Sequence, residues 1–162
     1  MKYAFTISLS IGIFVLAISA PEIHAQPYVI SADGIEVTDQ KTGLIWRRCA
    51  EGASWNGSTC VGVASALTHE SALRHAAEQA SSTGKTWRLP NVKELASIAD
   101  RSRSNPAIDT TAFPATPASL FWTASPSVGI PTCDWGVHFD DGSVGHDIRV
   151  ASDAVRLVRT GQ

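Results

Sequence analysis

The hydrophobic positions of this chain change period several times between its two ends. The first regime is one apolar run from Ala4 to about Ala20, preceded by Lys2 and closed by Pro21 and Glu22. A helix that spans a bilayer needs about 20 mostly apolar residues. This run is shorter, is softened by Thr6, Ser8, Ser10 and Ser19, and ends at a helix breaker. A short basic start, an apolar stretch and the small residue Ala25 read as an export signal over residues 1–25, cleaved after Ala25. No Cys follows the cleavage point to take a lipid, and no later stretch is apolar enough to anchor the chain. Residues 26–162 then form one domain.

Short β-prone runs separated by turn residues come next. Tyr28-Val29-Ile30 and Ile35 to Val37 read as strands around Asp33-Gly34, and Leu44 to Arg47 as a third strand after the turn Asp39 to Gly43. Residues 50–65 are small, polar and Gly-rich and read as loop. From Thr68 to about Ser82 the period becomes helical, with Leu73, Ala76, Ala77 and Ala80 on one face, Thr68 as N-cap and Gly84 as the stop. Asn91 with Glu94 three residues on forms a capping box after Pro90, so a second, shorter helix begins there with Leu95, Ile98 and Ala99 inward. Pro106, Pro114 and Pro117 make residues 104–119 an irregular crossing. The last third reads as β: Leu120 to Ser125, a hairpin of Asp134 to Phe139 with Val144 to Val150, and Ala154 to Arg159. Helices set between N- and C-terminal strands predict an α+β fold rather than βαβ alternation. Trp87, Leu89, Leu95, Ile98, Trp122, Trp135, Phe139, Val155 and Leu157 are the expected core, each contributing roughly 1.5–3 kcal/mol on full burial.

Composition narrows the partners. The formal net charge is −2 and apolar residues make up 44% of the chain, which argues against disorder and against a general pull toward nucleic acid or anionic membrane. Export favours a disulfide between Cys49 and Cys60, closing a loop that holds Trp55 and Asn56. Such a link contributes roughly 2.5–3 kcal/mol by loop-closure entropy. Cys133 is left over and reads as a buried thiol, or as an intermolecular link if exposed. No pattern calls for a metal or another cofactor. A two-residue Asp141-Gly142 turn would set Phe139 opposite Val144 and Trp135 opposite Ile148. That register puts His138 and His146 on opposite faces, with His146 partly buried. His69 and His75, six residues apart on a helix, cannot share a metal either. Arg88, Arg156 and Arg159 are expected to pair with Glu94, Asp109 or Asp153.

Several fragments also stand in a familiar order. They are Thr42-Gly43-Leu44-Ile45-Trp46, Trp87-Arg88-Leu89-Pro90-Asn91 with Lys93-Glu94-Leu95, Pro106-Ala107-Ile108-Asp109, Phe121-Trp122-Thr123-Ala124-Ser125, and Val155-Arg156-Leu157-Val158-Arg159. Together they resemble the Lcl C-terminal domain family over about residues 35–162. The family is named for the C-terminal domain of a collagen-like adhesin, and many members carry a comparable paired-Cys insertion. The resemblance implies a C-type-lectin-like mixed sheet with two helices and long irregular loops, in a protein exported by bacteria. Collagen-like repeats and the Glu-Pro-Asn and Gln-Pro-Asp sugar motifs of true C-type lectins are absent from the sequence.

The leading expectation is a non-catalytic binding module, periplasmic or secreted, for a glycan or a surface protein. Its candidate contacts are Trp55 and Asn56 in the Cys loop and Asp134, Asp140, Asp141 and Asp147 in the late hairpin. An exposed Trp can stack on an apolar sugar face and carboxylates can bind hydroxyls. Plain turn chemistry competes for the Asp residues, and packing over the disulfide competes for Trp55. A structural or assembly subunit of a surface appendage is the alternative. An enzyme of formylglycine-generating type comes last, because its reactive Cys pair has no clear counterpart here.

Overall fold

A computed structural model describes residues 27–161, and the export signal read over residues 1–25 lies outside them. The strands are β1 (Tyr28–Ile30), β2 (Glu36–Asp39), β3 (Leu44–Arg47), β4 (Ser54–Trp55), β5 (Cys60–Val61), β6 (Leu120–Pro126), β7 (Cys133–His138), β8 (Val144–Ile148) and β9 (Val158–Thr160). Two helices, α1 (His69–Thr83) and α2 (Val92–Ser97), lie between β5 and β6, so the chain is α+β. The mixed sheet implied by the resemblance is divided into three antiparallel sheets, ordered β1-β2-β3-β9, β4-β5 and β6-β7-β8. One isolated parallel bridge, Phe121 to Ala154, ties the segment before β9 to β6.

Both helix starts follow local chemistry. Thr68 caps α1 by accepting the Ser71 N–H, and Gly84 ends the helix in a left-handed conformation at φ 65°. Asn91 accepts the Glu94 N–H at 2.9 Å while Glu94 accepts the Asn91 N–H at 2.7 Å, the reciprocal bonds of a capping box. Glu94 is also forked by Arg88 with two bonds of 2.8 Å. The fragment Trp87-Arg88-Leu89-Pro90-Asn91 with Lys93-Glu94-Leu95 is therefore a device for starting α2.

Two apolar clusters share a wall. β6 and residues 154–158 run between them, and alternation along each sends neighbouring side chains to opposite sides. Leu120, Trp122, Val155 and Leu157 face one cluster, with Ala72 and Ala76 of α1. Phe121, Ala154 and Val158 face the other, with Trp46, Leu95, Ile98, Phe113 and Phe139. That double burial explains why both segments read as nearly continuous apolar runs.

Arg156 interrupts the second run and is fully buried. Its guanidinium donates to the carbonyls of Arg47 (2.7 Å) and Arg48 and to the Thr116 hydroxyl (2.7 Å), and it lies 4.9 Å from the Phe113 ring. None of these partners is an acid. Burial pushes the Arg156 pKa down to about 9, so the group stays cationic at neutral pH.

Several expectations are corrected. Residues 50–65 are not all loop, because β4 and β5 pair across the Asn56 turn. The buried face of α1 is His69, Ala72 and Ala76, while Leu73 and Ala77 are exposed. Small side chains let the helix approach Trp122 closely, and the larger Leu73 is turned out. In the hairpin, Val137 faces Val144 and Trp135 faces His146, two residues from the expected register. Phe139 causes the shift: it leaves the ladder to meet Phe121 edge-to-face at 5.0 Å, which makes residues 139–142 the loop. His138 and His146 remain on opposite faces, but His146 is exposed against Trp135 rather than partly buried, and Trp135 is only half-buried. The last strand is Val158–Thr160, not Ala154 to Arg159. Arg88 pairs with Glu94 as expected, whereas Arg159 pairs with Glu36 at 2.7 Å and Arg156 pairs with no carboxylate. Trp46, fully buried, joins the core without having been read there.

Arg156→Met would leave two main-chain carbonyls and a hydroxyl without a donor. The expected loss is about 3 kcal/mol, seen as a lower urea midpoint at unchanged m value. Arg156→Lys is expected to recover only part of it, because an ammonium on a flexible stem does not reproduce the fork. A midpoint shift under about 1 kcal/mol for the Met variant would remove the guanidinium from its central place in the fold.

Candidate functional site

The disulfide between Cys49 and Cys60 joins the end of β3 to the start of β5. Within its loop Asn56 Oδ1 accepts the N–H groups of Ser58 and Thr59, both at 2.9 Å. Asn56 is thereby a turn former, with its acceptor already engaged. Trp55 leans back over the end of β3, where the Arg48 guanidinium lies 3.8 Å from its ring centroid. Arg48 is itself buried and donates to the carbonyls of Gly34, Thr111 and Ala112. Burial lowers its pKa. Gly34 is required here on two counts: its φ is +74°, and a Cβ would sit 2.4 Å from Trp55 Nε1.

The half-buried Trp55 ring forms one wall of a cavity of about 200 Å3 that also touches Ile35, Arg47, Glu51 and Ser54. Its charged groups are held from behind by α1. Glu51 is bonded to His75 Nε2 at 2.7 Å, and Arg47 donates to Gln79 at 2.9 Å while lying 4.7 Å from the Trp87 ring. An aromatic wall beside a fixed carboxylate and a fixed guanidinium can pack an apolar ring face and hydrogen-bond hydroxyls at its edge. Arg47, Glu51 and His75 were missed in the sequence. The only signal was the run Trp46-Arg47-Arg48-Cys49 leading into the loop, with Glu51 directly behind it.

The hairpin carboxylates do not join this cavity. Asp134 is buried, not displayed on a loop, and is bonded to Arg149 and to His69 Nδ1. Asp141 is exposed and accepts the Ser143 N–H at 2.8 Å; its hydrogen bonds with Ser143 hold its pKa below the usual range. Asp140 stands 3.7 Å from His138 Nδ1. Asp147 accepts its neighbour's N–H, that of Ile148, at 2.6 Å. β8 is an outer strand, so this bond covers a donor that would otherwise face an open sheet edge. The candidate set therefore divides: Trp55 lines a cavity, Asn56 and Asp141 shape turns, Asp147 covers an edge and Asp134 is internal. Cys133 is a buried free thiol.

Asp153, a residue expected only as an ion-pair partner, carries the most perturbed carboxylate. One of its oxygens is buried without a hydrogen-bond partner. Burial first, and the charge of Asp147 second, raise its pKa to about 6, with His138 opposing.

The Lcl C-terminal domain model matches residues 36–159, and the chain belongs to that family. No curated protein and no solved structure matches it.

The raised Asp153 pKa has a definite sign for stability. The folded state holds this proton more tightly than the unfolded chain, so the contribution is complete below about pH 4 and is lost as pH rises through about 6. Asp153→Asn removes the charge. It is expected to be more stable than the parent at pH 7.5 by about 1 kcal/mol, a figure discounted for solvent screening at a partly exposed site. The gap should close by about pH 4. Denaturation curves across pH 4–8 measure it, and a gap independent of pH would rule the mechanism out.

Proposed function

We propose that this protein is an exported, non-catalytic binding module that recognises a glycan or a similar hydroxyl-rich cell-surface component through the Trp55 cavity. The observation that carries the reading is the half-buried Trp55 ring, fixed by Arg48 and Gly34, beside Arg47 and Glu51. Its volume of about 200 Å3 suits one ring-sized group rather than a drug-sized ligand. His69, the one buried histidine among the described residues, supports a non-catalytic role. Its two ring nitrogens already face Asp134 and the Thr123 carbonyl, both at 2.9 Å. The Cys49–Cys60 disulfide is compatible with an oxidising, exported location. Among the described residues no helix is long and apolar enough to cross a membrane. The two helices and long irregular connections accord with the C-type-lectin-like arrangement that the family resemblance implies. A protein-facing role as a structural or assembly subunit draws on a different feature, the exposed Val128 and Val150.

Purified protein on an array of neutral, acidic and sulfated glycans is expected to bind one class saturably, equally with calcium and with chelator. Trp55→Ala and Glu51→Gln should each weaken binding at least tenfold while the thermal midpoint shows the variants folded. Asp141→Ala should bind as the parent does. Folded protein that binds no glycan, or binding that survives loss of Trp55, would sink the reading.

A further inference from the structure

A second cavity, of about 660 Å3, opens beside the first turn of α1 and does not include Trp55. Its volume lies within the usual range for ligand pockets. Arg149 lines it. The Arg149 N–H donates to the Thr132 carbonyl at 2.9 Å, and its carbonyl accepts the His69 N–H at 3.1 Å, which fixes the backbone. The side chain is fixed as well: Nε and one terminal nitrogen donate to Asp134 at 2.7 and 3.2 Å, a side-on fork onto a carboxylate that is 1% exposed. The other terminal nitrogen, on the end-on edge of the guanidinium, has no partner among the described residues. The group is half-exposed. An arginine held this way offers a second carboxylate a ready fork at little cost in ordering.

Charge and shape narrow the ligand. His69 meets Asp134 and the Thr123 carbonyl at its two ring nitrogens, so the carboxylate that anchors Arg149 is itself held from α1. Arg149 is the one arginine or lysine lining the cavity, and its open edge suits a single carboxylate. Glu70 stands at the rim, its side chain 87% exposed, and disfavours a second anionic group. The walls are apolar: Leu73 and Val150 are 44% and 76% exposed, with Pro126 at the end of β6. Across Arg149 and Val150 lies another cavity, of about 540 Å3, walled by Pro131 and Ile148. One cation flanked by two apolar recesses suits an extended chain, whose successive side chains point to opposite sides.

We propose that this face captures the free C-terminus of a peptide or protein whose last two residues are apolar. The terminal carboxylate takes the open edge of Arg149, the last side chain sits between Leu73 and Val150, and the one before it rests against Pro131 and Ile148. This site is separate from the Trp55 cavity, and the protein partner it implies is distinct from a glycan.

The test is titration of the purified full chain with short peptides ending in two apolar residues, as free acids and as C-terminal amides, alongside hexanoate. The free acid is expected to bind saturably, and the amide at least tenfold more weakly. Arg149→Lys keeps a cation on Asp134 but loses the open edge, and should weaken binding at least tenfold at a near-parental thermal midpoint. Val150→Asp, at a solvent-exposed wall, should do the same by repelling the carboxylate. Trp55→Ala should leave it unchanged, which separates failure here from failure of the glycan reading. The proposal is overturned if acid and amide bind alike, if both variants bind as the parent does, or if no peptide binds at millimolar concentration. Hexanoate binding as tightly as the peptide would assign the site to small acids instead.

Discussion

A cation buried without an acid sets the terms of this fold. Arg156 lies on a segment whose neighbours on both sides fill apolar clusters, so its guanidinium cannot reach water. Ionising such a group in an apolar interior is costly unless hydrogen bonds compensate it; both terminal nitrogens of Arg156 find acceptors, while Nε has none among the described residues. Here the acceptors come from main chain. β3 and β9 pair from Leu44–Thr160 to Trp46–Val158, and one further backbone bond links Arg47 N–H to the Leu157 carbonyl. Beyond that point the ladder stops, and Arg156 takes up the Arg47 and Arg48 carbonyls. The chain is thereby released to turn into Cys49 and the disulfide loop. The same guanidinium reaches Thr116 in the proline-rich crossing. One side chain holds together the end of the first sheet, the crossing and the strand-like segment between the two clusters. It also explains why the final strand is three residues long rather than six.

What was legible in the sequence was local. The caps at Thr68 and Asn91 and the stop at Gly84 depend on residues within a turn of one another, and they stand as read. The hairpin was found, but its register was not, because register depends on where Phe139 goes. Its partner Phe121 belongs to another strand, and no pattern within residues 134–150 announces it. The α1 face was misassigned for a related reason. Leu73 carries more hydrophobicity than Ala72, so periodicity favours it. The helix packs against Trp122 at a distance only small side chains permit.

The candidate site divides along the same line. Trp55 could be singled out because a large aromatic residue in a polar, disulfide-closed loop is conspicuous. The groups that give its cavity a chemistry could not, since Glu51 is positioned by His75 and Arg47 by Gln79, both on α1. The aspartates failed in the opposite direction. Asp141 and Asp147 satisfy nearby backbone donors, which is the ordinary reason for Asp in turns and at strand ends. Asp134 is the exception, and its role as a buried anchor for Arg149 needed a partner from α1 and a partner from beyond β8.

Three arginines show how identical side chains acquire different capacities. Arg48 and Arg156 direct their bonds at carbonyls and a hydroxyl of this chain and lie against aromatic rings, so they are internal cross-links that happen to be charged. Arg149 is fixed no less firmly, yet by one edge only, and its anchor is an acid with almost no exposure of its own. The anchoring carboxylate orients the guanidinium without hiding it, and His69 in turn holds that carboxylate in place. The first kind of arginine directs its bonds inward to the fold, whereas the second leaves one edge of its guanidinium open. Holding a half-exposed cation in one orientation beside uncovered Leu73 and Val150 is an arrangement that stability alone does not require.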